Sequence, residues 1–330
     1  MEIVRSTFAG DAILHLIIDK YGFPEDNASC LLEYRGVNDV YKYSNGSTST
    51  FLKIYARKEL DRDSIGAELE VVNYLRRSGL LVANPIPMVS GEFILPLDTP
   101  EGTRYGVLFS EAEGIPLDND ALDKKTVLAI GKMISTMHSM VDMMPSSPTR
   151  WKLDDKIFLD LSLQILEQYS RFNSKIDMLF IRDVVKELKC QIQMNRANWK
   201  WGICHGDIYT GNIRQNERDE LTIFDFDFCG LGWRAYDVAS FLGLFGRGFH
   251  ADVIDKRKSR LDLFLRGYEF AGVLSNSEVE AIYKVFVPFR RIFNMGYLYD
   301  SLLNVWGDRL RHEQINHDLA LLKEWVNHYW

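Results

Sequence analysis

The stretch His205-Gly206-Asp207-Ile208-Tyr209-Thr210-Gly211-Asn212, followed by Ile223-Phe224-Asp225-Phe226-Asp227, decides how the rest of this chain reads. It puts a carboxylate and, five positions on, an amide in a loop between two strand-like runs, 201–204 and 221–228. A second carboxylate, Asp225, falls inside the apolar second run, where an uncompensated charge would cost several kcal/mol. A divalent cation supplies that compensation. Amide and carboxylate oxygens suit Mg²⁺, which keeps its remaining positions for water and phosphate oxygens.

The full pattern is His-Gly-Asp-x-x-x-x-Asn, an Ile-x-Asp strand, then Gly230-x-x-x-x-Ala235-Tyr236-Asp237. It resembles the aminoglycoside phosphotransferase and choline kinase superfamily, a looser cousin of the protein-kinase catalytic loop with its metal-binding aspartate. The four fixed letters of the first motif alone arise by chance on the order of once in several hundred chains of this size, and the correctly spaced second motif makes coincidence a poor account. The resemblance implies an α+β, two-lobed protein-kinase-like fold with a small β-rich N-lobe and a larger helical C-lobe. It also implies roles. Asp207 would be the catalytic base that orients the acceptor hydroxyl, Asn212 and Asp225 would hold Mg²⁺, and His205 and Asp237 would organise the loop. Asp227 shares Asp225's face if the strand continues without a bulge. There it would assist a second metal or border the acceptor, or else stand as a solvated carboxylate.

Upstream, the first third of the chain reads as a leading amphipathic helix, 11–21, then strands at 38–43 and 50–55 around the hairpin signal Asn45-Gly46. A helix at 63–78 closed by Gly79 follows, then strands at 93–97 and 105–109. Helical patterns dominate after Pro116, including 125–140, 158–169 and 177–198. The expected lobes are 1–112, for nucleotide binding, and 113–330, for the catalytic loop, metal and acceptor. Within the first lobe the resemblance implies that Lys53 reaches the phosphates and pairs with Glu68, which is preferred to the competing Glu70. Gly36 and Asn38, in Arg35-Gly36-Val37-Asn38-Asp39-Val40-Tyr41, would belong to the phosphate-covering loop. That loop lacks the several glycines of a G-x-G-x-x-G cradle. Glu111 and Ala112 would present backbone groups to the adenine at the hinge.

A late segment carries a further expectation. Ser277-Glu278-Val279-Glu280 has the form of a capping box, and an apolar register runs on through Ile282, Phe286, Phe289 and Phe293. Pro288 should kink this helix. Beyond it Asn294, Tyr297 and Asp300 recur as a polar stripe, and the resemblance implies that Tyr297 and Asp300 line the acceptor pocket, Asp300 favouring an amine. The stretch from Phe286 to Arg291 and on to Asp300 is also similar to homoserine-kinase-like and stress-response-kinase-like members.

Bulk properties bound the rest. A chain of 330 residues, 46% hydrophobic, buries enough apolar surface to fold without disulfides. Its four scattered cysteines form no CxxC pair, which predicts reduced thiols and a cytoplasmic location. The net charge of −7 argues against a nucleic-acid partner, and no run is long and apolar enough to imply a membrane span. The reading that results is an ATP- and Mg²⁺-dependent kinase acting on a small-molecule hydroxyl acceptor such as an amino-alcohol, an amino sugar or a homoserine-like compound. GTP in place of ATP stays open. The competing readings are a protein Ser/Thr kinase of the stress-response type, a non-catalytic kinase-like nucleotide-binding protein, and a metal-dependent phosphatase that would need neither Lys53 nor Glu68.

Overall fold

A computed structural model describes residues 3, 5–56, 60–146, 148, 150–242, 249–301 and 303–330, without side chains at 301–306. The chain divides into two compact units, Met1–Glu113 and Gly114–Trp330. The first is built on helix α1 (Gly10–Tyr21), strands β1 (Ser29–Arg35), β2 (Asp39–Ser44) and β3 (Ser49–Ile54), helix α2 (Arg62–Arg77), and strands β4 (Pro85–Ile86), β5 (Leu95–Thr99) and β6 (Gly102–Ser110). The strands form one antiparallel sheet in the order β1-β2-β3-β6-β4, with β5 also on β6.

Pleat alternation divides the side chains of this sheet between two clusters. Tyr41, Tyr43, Leu52, Ile54 and Leu108 pack with Ile13 and Ile17 of α1. Val107 and Tyr55 pack with Ile65 and Leu69 of α2. Lys53, between Leu52 and Ile54, therefore points with Val107, its cross-strand partner, towards the α2 side. Helix α2 is capped by Asp61, whose side chain accepts from the Ser64 N–H at 2.8 Å. It ends at Gly79, where a φ of +93° lets the Leu80 N–H bond the Leu75 carbonyl.

The second unit contains β7 (Ile115–Pro116), α3 (Lys124–Val141), β8 (Lys152–Leu153), α4 (Ser162–Ser170), α5 (Met178–Asn195), β9 (Trp201–Cys204), β10 (Ile213–Gln215), β11 (Leu221–Ile223), β12 (Gly230–Trp233), α6 (Arg234–Leu242) and α7 (Ala251–Tyr268). It continues through α8 (Asn276–Ala281), α9 (Val287–Phe293), α10 (Tyr299–Ser301) and α11 (Leu303–Tyr329). Two small sheets, β11-β10-β7 and β8-β12-β9, sit among the helices. Gly131 and Gly267 let α3 and α7 pack backbone to backbone. A Cβ on either would lie within about 2 Å of a carbonyl oxygen on the other helix, Phe264 O or Leu128 O. Among the described residues no helix is long and apolar enough to cross a membrane.

One expectation for the late helices is corrected. The capping residue of α8 is Ser275, not Ser277: its side chain bonds the Glu278 N–H, while Glu278 returns a bond from the Ser275 N–H at 2.8 Å. Glu278 is buried and also accepts from the Lys200 N–H, which fixes the register two residues earlier than the sequence pattern suggests. Pro288 stands in the first turn of α9, directly after a wide turn of i→i+5 bonding at Ile282–Phe286. Pro288 has no N–H to give to that turn, and the Tyr283 carbonyl within it accepts from Trp325 Nε1 at 2.7 Å. A second wide turn, Asn294–Leu298, follows α9.

Candidate active site

The candidate residues fall into a group in each unit. In the first, Lys53 Nζ lies 3.2 Å from Glu68 Oε1, which also accepts from the Tyr55 hydroxyl at 3.0 Å. Glu68 is fully buried and Lys53 nearly so, whereas Glu70 is exposed on the outer face of α2. A buried carboxylate requires such partners. The structure thus pairs Lys53 with Glu68 and turns Glu70 away.

The loop carrying Gly36 and Asn38 joins β1 to β2 and is tied from below. The Ala56 N–H donates to Asn38 Oδ1 at 3.0 Å, and Arg5 donates to the Gly36 carbonyl at 2.8 Å. Arg5 and Arg104 both bond Asp39, which is wholly buried. Local spacing announces only Arg35, 3.9 Å from Asp39, because the two arginines that hydrogen-bond it lie 34 and 65 residues away. Glu111 and Ala112 follow β6, and Glu111 is exposed and 3.4 Å from Lys42.

In the second unit, His205–Asn212 connects β9 to β10, and 224–229 connects β11 to β12. Phe224 ties these loops together: its N–H donates to the Asn212 carbonyl at 3.0 Å, and its carbonyl accepts from His205 Nε2 at 3.1 Å. Because His205 Nδ1 accepts the Asp207 N–H at 3.2 Å, the imidazole is the neutral Nε2–H tautomer and acts as an organiser. Asn212 directs its amide nitrogen at Asp207, bonding the carbonyl at 3.0 Å and Oδ2 at 3.2 Å. That orientation leaves the amide oxygen, the atom a hard cation needs, on the other side of the group.

Asp225 does not lie in a strand. β11 ends at Ile223, opposite Ile213, and Asp225 is exposed with a left-handed φ of +65°. β10 begins only at Ile213, so no backbone ladder remains for residues beyond Ile223. The shared face expected for Asp225 and Asp227 is lost with the strand, and Asp227 is the buried one. The bend is clamped by Arg150, which bonds the Phe226 and Asp227 carbonyls and Cys229 Sγ, and by Trp151 Nε1 on the Cys229 carbonyl.

Asp237, in the first turn of α6, is the brace of the His-Gly-Asp loop. It accepts the His205 and Gly206 N–H groups at 2.8 Å each and His138 Nε2 at 2.9 Å. Burial alone would push its carboxyl up, but the hydrogen bonds from His138 and from the Gly206 N–H more than offset that and hold it below the usual range. His138, buried and bonded on its other nitrogen to Tyr268, is depressed to about 4, chiefly by burial and then by Arg234. Gly206 has a φ of +85°, and a Cβ there would stand 2.2 Å from the Phe228 carbonyl oxygen. Only glycine fits.

Tyr297 stacks on Phe293 and meets Trp151 edge to face, while Trp151 stacks on Phe228. This aromatic group therefore adjoins the 224–229 loop. Asp300 instead bonds the Tyr169 hydroxyl and stands 3.7 Å from Arg311, so its charge already faces a cation. Sequence reasoning missed His138, Arg150 and Arg290. Arg290 donates to Asp207 Oδ1 at 2.5 Å, to the Gly206 carbonyl at 3.0 Å and to the Tyr236 hydroxyl at 2.8 Å. The available signal was a pair of arginines embedded in a buried aromatic register.

An antiparallel-sheet unit with a Lys–Glu pair, followed by a helical unit bearing a braced His-Gly-Asp loop, defines the kinase-like phosphotransferases. Residues 36–272 match the model of the phosphotransferase enzyme family (APH), and the chain belongs to that family. An uncharacterised protein of Synechocystis is 31% identical over 240 residues, a match spanning 72% of this chain and 66%, just under two thirds, of that relative. Among solved structures, an amicoumacin kinase in complex with AMP-PNP, Ca²⁺ and Ami superposes with a TM-score of 0.74 at 20% identity, over 97% of this chain and 94% of that one. A microcompartment-associated aminopropanol kinase gives 0.70 at 18% identity, over 94% and 95%. These neighbours share the two-lobed fold.

Proposed function

We propose that the protein transfers the γ-phosphate of ATP, taken up with Mg²⁺, to a hydroxyl of a small amino-alcohol-type acceptor. The observation that carries this reading is the loop geometry. Asn212 bonds Asp207, and Phe224, the residue preceding Asp225, is tied to the same loop by its N–H on the Asn212 carbonyl. Asp207 would accept a hydrogen bond from the acceptor hydroxyl and orient it for in-line attack, and Asn212 and Asp225 would hold Mg²⁺. When bound, the metal neutralises charge on the phosphate oxygens. Lys53, steadied by Glu68, would bind the phosphates, the Gly36–Asn38 loop would cover them, and backbone groups near Glu111 and Ala112 would meet the adenine. Because the transition state is loose, positioning and charge neutralisation account for most of the catalysis. The acceptor class draws support from the aminopropanol and amicoumacin kinases that share the fold.

The test is ATP consumption with aminopropanol, ethanolamine, choline, aminoglycosides, homoserine, sugars and a generic protein substrate. Turnover with an amino-alcohol or amino sugar is expected. Turnover with protein alone would move the assignment to a protein kinase. Mg·ATP should also raise the melting temperature, since binding to the folded state adds about 2.7 kcal/mol at a hundredfold excess over Kd. No shift with any purine nucleotide and Mg²⁺ or Mn²⁺ would remove the kinase reading.

A further inference from the structure

Arg290 is placed expensively. It sits on α9 among Phe286, Phe289 and Phe293, each at most 1% exposed, where a guanidinium loses most of its water. Its neighbour Arg291 pairs with Asp318 of α11 at 2.6 Å and supplies that helix contact with its ion pair. Arg290 does something different. All three of its hydrogen-bond partners, Gly206, Asp207 and Tyr236, belong to the His-Gly-Asp loop or stand beside its brace, Asp237.

We propose that Arg290 is a positioning residue for phosphoryl transfer, holding the Asp207 carboxylate in the one orientation that can accept the acceptor hydroxyl. This rests on the phosphotransferase reading above. Rotation about the terminal bond of an aspartate is broad and soft. Here Oδ1 is held by Arg290 and Oδ2 by Asn212, so the plane of the carboxylate is fixed from both sides. Each oxygen still has a lone pair to offer. The planar guanidinium fork suits this task, because one nitrogen grips the Gly206 carbonyl while the other grips the carboxylate of the next residue. A lysine ammonium, a single point of charge, could not present the same rigid pair of donors. The wide turns on either side of α9, Ile282–Phe286 and Asn294–Leu298, reset the helical register and set which residue of α9 meets the loop. Such i→i+5 turns are frequent at functional sites.

The experiment compares wild type, Arg290→Ala, Asp207→Asn and the double variant, using ATP turnover with aminopropanol, choline or ethanolamine, whichever wild type accepts. Arg290→Ala should lower kcat about 10²-fold, the cost of a misplaced catalytic group, while leaving the nucleotide KM nearly unchanged. In the Asp207→Asn background the same substitution should cost almost nothing more, because residues that act as a unit are non-additive. Added guanidinium, at a concentration that does not denature the protein, should restore part of the turnover to Arg290→Ala and none to Asp207→Asn. Should the alanine variant fail to fold, Arg290→Met fills the same space without the donors and carries the test. A kcat near that of wild type, or losses that multiply in the double variant with no rescue, would overturn the role of Arg290. Wild type inactive with every acceptor overturns instead the reading beneath it, and the proposal with it.

Discussion

Lys53 and Glu68 meet because regular elements deliver them: a strand whose pleat turns Lys53 towards α2, and a helix that returns Glu68 to that side. Asp207 and Asp225 come from connections with neither ladder nor helix, and Asn212 from a single 3₁₀ turn, Thr210–Asn212. They are held instead by polar side chains from elsewhere in the second unit, His138, Arg150, Asp237 and Arg290. Periodic backbone suffices where a site needs one steady charge. Where a site must hold several oxygens at defined angles, the chain leaves its regular elements and requires a buried polar scaffold.

That contrast predicts separable defects, the largest at Asp207. Asp207→Asn should cut kcat by about 10²–10⁴-fold, the range for a group acting on the transferred proton, with the Mg·ATP-induced rise in melting temperature retained. An equal loss of nucleotide binding would erase the division of labour. Lys53→Met should do the reverse, weakening ATP binding by about 10–100-fold, as expected for one charged hydrogen bond of roughly 1.5–3 kcal/mol. Calorimetric titration reads this directly, and unchanged affinity would detach the Lys53–Glu68 pair from the nucleotide.

A third substitution tests the scaffold itself. Gly206→Ala forces a Cβ against the Phe228 carbonyl at positive φ and should lower stability by about 1–3 kcal/mol. The urea midpoint measures it, and an unshifted midpoint would show that the loop is not held as tightly as its contacts indicate. The smallest effect concerns pH. His138 is depressed from 6.5 to about 4 by burial, with Asp237, Tyr268, Arg234 and Asp142 around it. Between those values the unfolded chain binds a proton that the folded one refuses. Stability should therefore fall as pH drops from 6.5 towards 4, by on the order of 1 kcal/mol per pH unit. His138→Gln should flatten that slope, and an identical slope in the variant would assign it to other groups.

The same contrast explains what the sequence disclosed. Alternation through Leu52-Lys53-Ile54 and the helical spacing of Ile65, Glu68, Leu69 and Val72 are local and place both residues on regular elements, but only the resemblance carried by the downstream motif singled out Lys53 and Glu68 as a pair. Asp225 misled, because Ile223, Phe224 and Phe226 look like a continuing apolar strand. What ends it is the late start of β10, a property of the partner strand. Asp237 was expected to organise the loop, but His138 and Arg290, the partners of Asp237 and Asp207, were illegible for a related reason. His138 and Asp237 are 99 residues apart and Arg290 and Asp207 are 83 apart, and no periodicity couples such positions. Ser275 was passed over as a cap because Ser277 fits the same four-residue pattern, and only burial of Glu278 decides between them.

The Asp237 brace has a consequence for the order in which the molecule comes apart. Loops usually exchange their amide hydrogens early, through small local openings. The His205 and Gly206 amides end on a carboxylate carried by α6, whose Val238, Ala239, Phe241 and Leu242 are all fully buried. Freeing those two hydrogens means drawing α6 out of the interior, so their exchange should track global unfolding rather than breathing of the loop. The segment that carries Asp207 is irregular in shape yet belongs, by its protection, with the slowest-opening part of the protein.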